Sequence, residues 1–176
     1  MLPEGSGTSQ PRHHPERAML LRKPALDPQT VPAISRSSYP EPYRARVLPR
    51  EVRRLGEALG LTRIGVNVAT LLPGKESSMR HWHTHEDEFV YVLQGELLLR
   101  TNGGEQLLSA GMCAGFVAGT EDGHQFVNRS DRPASYLVIS NRDPQDTAYY
   151  ADADVDLMWS PPHARGKMTR GDGTPL

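Results

Sequence analysis

From Arg63 onward the chain alternates short apolar runs with breaks rich in glycine, proline and asparagine. Ile64–Leu72 is followed by Pro73-Gly74. Met79–His83 comes next, and Glu88–Leu93 ends at Gln94-Gly95. Glu96–Thr101 runs into Asn102-Gly103-Gly104, a hairpin signal, because these residues accept the left-handed backbone that a tight β-turn needs. Glu105–Leu108, Met112–Val117, His124–Asn128 and Ser135–Ser140 complete the series. About eight short strands at roughly 8–12-residue spacing predict an all-β sandwich or barrel over residues 63–140. Phe89-Val-Tyr-Val-Leu93 is apolar at every position, whereas a strand with one solvated face alternates. Together with Leu97-Leu98-Leu99, this run needs more cover than one small sheet supplies, so a homodimer is expected.

The flanks differ. Val52, Leu55 and Leu59 share one face of a helical wheel between Pro49 and Gly60, which predicts a short helix over 49–60 inside an extended segment, 31–62. Eight of the 15 prolines precede Arg44, and the first aromatic residue is Tyr39. Residues 1–30 therefore read as a disordered, proline-rich arm that buries too little apolar surface to offset its ordering entropy. His13-His14 in this arm reads as solvated tail. Residues 141–176 turn polar again. Asp152, Asp154 and Asp156 imitate the opening of a calcium loop, but the sixth position has no glycine and the twelfth is His163, so calcium is rejected. Tyr149, Tyr150, Leu157, Met158 and Trp159 are expected to pack this tail onto the barrel.

Charge narrows the function classes. Residues 1–63 carry 11 basic and 6 acidic side chains, residues 64–176 carry 9 and 15, and the net charge is −1. That balance argues against a general nucleic-acid binder. No run approaches the roughly 18 apolar residues of a membrane span. Met1–Gly7 lacks the basic-then-apolar order of a signal peptide, so none is expected. Cys113, the single cysteine, fits a reducing, cytoplasmic compartment and reads as a small buried residue. There is no glycine-rich phosphate loop, Ser-His-Asp pattern or Cys-x-x-Cys pair.

The chemistry concentrates between residues 81 and 124, which hold four of the seven histidines. In His81-Trp82-His83 the two imidazoles point to one face of a strand. Glu88 opens the next strand after a tight turn, and His124 opens a later one. Three imidazoles and a carboxylate make a mixed nitrogen–oxygen site suited to one divalent ion per chain, Mn, Fe, Ni, Co or Zn, with two positions of an octahedron left open. His85 forms a second His-x-His pair with His83, but only two residues separate it from Glu88. It is placed in the turn, either as an acid/base at the pocket mouth or as a ligand. Asn128 reads as a loop brace, and Tyr136 as either core or cavity lining.

At these residues the sequence resembles the cupin superfamily. The first cupin motif, G(X)5HXH(X)3,4E(X)6G, is matched by Gly74, six residues, His81-Trp82-His83, four residues, Glu88, six residues and Gly95. The second, G(X)5PXG(X)2H(X)3N, is matched by Gly111, five residues, Val117 in place of proline, Ala118-Gly119, four residues instead of two, His124 and Asn128. The resemblance implies a double-stranded β-helix, a small jelly roll with the metal inside, and His81, His83, Glu88 and His124 as its ligands. The stretch His81–Gly95 is most similar to small single-domain bacterial cupins, some labelled sugar-phosphate isomerases by analogy alone. One such fold hosts many chemistries. Three remain open: a metal-dependent isomerase-like enzyme on a small oxygenated substrate, an iron-dependent dioxygenase, and a non-catalytic ligand-binding or sensor module.

Overall fold

The computed structural model describes residues 24–160 and 167–176. Of the loose arm expected over residues 1–30, residues 1–23, His13-His14 among them, lie outside the described residues, and Pro28–Thr30 form a 3-10 turn whose Gln29 N–H donates to Asp27 Oδ1. Two walls of antiparallel strands face each other, as the jelly-roll expectation requires. One wall is a five-stranded sheet. In chain order its members are β1 (Arg50–Arg53), β2 (Ile64–Leu71), β4 (Glu88–Gln94), β7 (Cys113–Phe116) and β9 (Ala134–Asn141), arranged in space as β1-β2-β9-β4-β7. The other wall has two parts. β6 (Gly104–Ser109), β5 (Glu96–Thr101) and β8 (Gln125–Val127) form one, and β3 (His81–His83), β10 (Ala148–Tyr150), β11 (Met158–Ser160) and β12 (Lys167–Thr169) form the other. An isolated bridge, His81↔His124, joins the two parts.

Alternation along the strands decides what fills the space between the walls. On β4, Val90 and Val92 point inward and are fully buried, while Phe89, Tyr91 and Leu93 point outward and are exposed. Val90 and Val92 pack with Leu71, Leu97, Leu99, Leu108, Phe126 and Tyr136 into one core. Burying a side chain of this kind is worth about 1.5–3 kcal/mol. Tyr136 is thus core, with its hydroxyl pushed up to about 12 by burial. A second cluster, Tyr39, Val47, Met79, Val155 and Leu157, lies behind β3 and ties both flanking segments to the barrel.

The helix expected over 49–60 is divided. Arg50–Arg53 is strand β1, paired with β2 as Val52↔Ala69, and only Leu55–Leu59 is helical (α2). The apolar positions Val52, Leu55 and Leu59 fit a helical period, but Val52 also bridges Ile34 through two backbone hydrogen bonds of 2.9 and 3.0 Å. Sheet pairing on both sides outweighs a weak propensity. Gly60 does stop the helix, in left-handed conformation at φ 77°. A five-residue helix, α1 (Tyr43–Val47), was not anticipated; it buries Val47 completely. Cys113 corrects a further expectation. It is exposed, because its register on β7 opposite Tyr91 turns it to the outer face. No described helix is long and apolar enough to cross a membrane.

Candidate metal centre

β3 carries His81 and His83 on one face and Trp82 on the other, where the indole stacks on Tyr149 of β10 at 5.1 Å. The bridge to His124 is built from His81 N–H donating to His124 O (3.1 Å) and His124 N–H donating to His81 O (2.8 Å). Backbone pairing therefore sets two imidazoles side by side, their ring centroids 4.8 Å apart. Glu88, at the start of β4, reaches in from the opposite wall. Ligand atoms of His81, Glu88 and His124 lie within 4.8 Å of one another. The His83 ring stands edge-on to that of His81, with centroids 5.0 Å apart.

The imidazoles differ in how they are held. His81 Nδ1 lies 2.9 Å from the carbonyl of Met79 and 3.2 Å from Ser78 Oγ. A proton on Nδ1 serves that carbonyl and leaves Nε2 with its lone pair. His83 Nδ1 lies 2.7 Å from Asp146 Oδ2. His124 is 2 % exposed, and neither of its ring nitrogens has a hydrogen-bond partner. Phe116 stacks on it, 3.6 Å between centroids and 8° from parallel. Glu88 Oε1 is 3.4 Å from His124 Nε2, too long for a well-formed hydrogen bond. A buried imidazole with two orphaned nitrogens is costly unless another group takes a lone pair. A divalent ion at this point would do so, and the nitrogen–oxygen donor set fits one.

The protonation states of His81 and Glu88 agree with that fit. Burial, then repulsion from His124 and His83, lowers the His81 pKa to about 3, so its ring is a neutral donor. For His83, burial alone would depress the pKa, but the Asp146 hydrogen bond and the charges of Glu88, Asp146 and Glu86 outweigh it and hold it above the ordinary value. Glu88 is pushed up by burial, yet the contact with His124 and the neighbouring His81 and His83 hold it below the usual carboxylate range.

The structure thus brings together His81, Glu88 and His124, with His83 against them. It does not bring His85 to that cluster. His85 lies exposed in the β3–β4 turn, its Nδ1 2.8 Å from Thr84 Oγ1. Asn128 braces a loop: its amide donates to Leu71 O (2.9 Å) and Arg132 O (2.7 Å). Two buried carboxylates escaped the sequence reading, Glu86 and Asp146, whose ligand atoms lie within 4.8 Å of each other and of His83. Their only sequence signal is acidity in stretches that are polar throughout. Beside the centre opens a cavity of about 160 Å³ lined by Trp82, His83, Glu86, Phe116, Asp122 and His124, among others. It is smaller than the roughly 300 Å³ at which drug-sized pockets begin.

This barrel and histidine–carboxylate arrangement define a cupin, and the comparisons agree. The Cupin domain family matches residues 67–140. A sugar phosphate isomerase of the cupin superfamily from Silicibacter pomeroyi is 44% identical over 87% of this chain and 96% of its own, with a TM-score of 0.81. A candidate sugar phosphate isomerase from Acidithiobacillus ferrooxidans is 27% identical over 72% of this chain and 80% of its own, with a TM-score of 0.63. A polyketide cyclase from Streptomyces resistomycificus, 19% identical over 74% and 87%, shares the fold at a TM-score of 0.57. No curated protein matches the sequence. The chain belongs to the cupin superfamily.

Proposed function

We propose that the chain is a divalent-metal-dependent enzyme acting on a small oxygenated molecule, isomerase-like, in a reducing cytoplasmic compartment. The observation that carries the reading is His124, an imidazole with both nitrogens orphaned in the barrel interior beside His81 and Glu88. His81, His83, Glu88 and His124 would hold the ion, Mn, Fe, Ni, Co or Zn, which as a Lewis acid polarises a carbonyl oxygen. The chain's own residues supply the rest. Phe116 and Trp82 line the cavity, and His85, exposed in the β3–β4 turn, is assigned the proton transfer.

The sugar phosphate isomerase from Silicibacter pomeroyi supports a hydroxy-carbonyl substrate. The cavity adds a preference. Glu86 and Asp122 line it, and no lysine or arginine does so among the described residues. Like charge disfavours a phosphate dianion there, which favours the unphosphorylated sugar. The test loads metal-stripped protein with Mn, Fe, Ni or Zn in turn and assays free sugars, sugar phosphates, hydroxy acids and phenols. Turnover of an unphosphorylated hydroxy-carbonyl, at least about tenfold better in kcat/KM than its phosphate, is expected; that ratio corresponds to about 1.4 kcal/mol. His85→Gln should lower kcat. Full activity in that variant would move proton transfer elsewhere, Glu86 being the next group to replace. Tight binding without turnover under every metal would make the chain a binding module.

The homodimer belongs to the same reading. Phe89, Tyr91 and Leu93 stand exposed on the outer face of β4, with Leu137 and Ile139 of β9 paired beside Tyr91 and Phe89. No charged side chain interrupts β4 on this face, and a second copy laid against it is the occupant we propose. Light scattering should give twice the 19.5 kDa of one chain. Tyr91→Lys with Leu93→Glu should return the monomer; a wild-type mass of one chain at micromolar concentration would refute the dimer.

A further inference from the structure

We infer that Asp146 is the positioning residue of the metal centre, so that the segment beyond the matched family domain completes the site. The inference rests on the metal-dependent reading above. Asp146 lies six residues past the end of the match at 140, has no exposed surface, and stands in the turn before β10. β10 pairs with β3 as Ala148↔His83, which brings this turn against the ligand strand. Thr84 N–H donates to Thr147 O (3.1 Å) and Thr147 N–H to Thr84 Oγ1 (2.9 Å), locking the two stretches together.

One carboxylate does two things there. Oδ1 accepts from the backbone N–H of His85 (2.9 Å) and of Glu86 (3.2 Å) and from the Thr84 hydroxyl (3.3 Å), which shapes the β3–β4 turn. Oδ2 accepts a hydrogen bond from His83 Nδ1–H at 2.7 Å. A ring whose proton is held at Nδ1 presents its lone pair at Nε2, and a carboxylate partner raises its basicity as a ligand. His81 is oriented by a neutral carbonyl instead. The two histidines of the His-x-His pair are therefore unequal donors, and the stronger one depends on a residue outside the family motif.

Asp146→Asn separates the two roles. The side-chain oxygen still faces the turn amides, but the amide nitrogen now meets His83 Nδ1. A donor there drives the His83 proton to Nε2, where it blocks the lone pair. Thr84→Val is the complementary variant, stripping support from the turn while leaving the Asp146–His83 bond in place. Metal-stripped proteins are titrated with Co2+ alone, following affinity and the visible cobalt spectrum. Asp146→Asn should bind about 10–100-fold more weakly, with a changed spectrum; Thr84→Val should bind as wild type even where it melts earlier. Equal affinity and spectrum in Asp146→Asn and wild type would overturn the inference, and so would equal losses in both variants, which would make Asp146 a turn brace only. A wild-type reading guards against a variant that fails to fold. At alkaline pH, nitrogen NMR of the metal-free chain should find the His83 proton on Nδ1; a proton on Nε2 overturns the inference. Should wild type bind none of Co2+, Mn2+, Fe2+, Ni2+ or Zn2+, the metal reading itself falls, an outcome distinct from all the others.

Discussion

Replacing His81 and His124 together with alanine is expected to reduce bound metal from one ion per chain to background. Both residues belong to the group whose ligand atoms converge within 4.8 Å, and the double variant leaves only Glu88 of that group. The loss should also show in stability. An ion present at about a thousand times its Kd stabilises the folded chain by about 4.1 kcal/mol. For a chain of this size that corresponds to a rise in Tm on the order of 10 °C. Wild type should gain that increment on adding Mn2+ or Zn2+, and the double variant none. The metal-free Tm of the variant is the control, since truncating His124 also removes the ring stacked on Phe116. Near-stoichiometric metal in a folded double variant would overturn the assignment and turn attention to His83, Glu86 and Asp146.

The candidate donors of this centre were legible in the sequence because they sit at fixed distances along it. A strand puts residues two apart on one face, so His81 and His83 declare themselves, and the motif spacing reaches Glu88 and His124. Asp146 could not be read the same way. It meets His83 through the β10–β3 pairing, across 63 residues of chain, and nothing local to residues 141–147 marks it. The strands that the pattern missed share a cause. β10, β11 and β12 have three residues each, too few for alternation to emerge, and they lie in a polar tail. β1 failed differently, since its one apolar residue, Val52, also satisfies a helical period with Leu55 and Leu59. The contest was settled by long-range pairing with β2 and Ile34. The exposed face of Phe89, Tyr91 and Leu93 follows from the unbroken apolar run, while Cys113 shows that a small apolar-looking residue on a strand takes its burial from register alone.

Gly123→Ala should damage the centre without replacing any of the four proposed ligands. Gly123 precedes His124, and its backbone is not in the left-handed region, so what the glycine supplies is space. A Cβ at this position would stand 2.4 Å from Ala151 Cβ, 3.4 Å from Arg80 Cγ and 3.6 Å from His81 N. Carbon atoms rest at about 3.5–4.0 Å, so the chain must yield by more than about an ångström. It has little freedom to do so on either side. Ala151 N–H donates to Arg80 O at 2.9 Å, holding the segment after β10 against the start of β3. His81 and His124 exchange the two backbone bonds that set their rings together. The weaker element is that isolated two-bond bridge, and its opening would swing His124 away from His81. Overpacking of this kind costs about 1–3 kcal/mol, and metal affinity should fall with it. Ala151→Gly removes the 2.4 Å contact, and the next nearest atom is the Arg80 side-chain methylene, which can shift. The double variant Gly123→Ala with Ala151→Gly should therefore recover most of the lost Tm and metal affinity. A single Gly123→Ala variant that binds metal and melts as wild type would show that the bridge does not set the spacing of the two histidines.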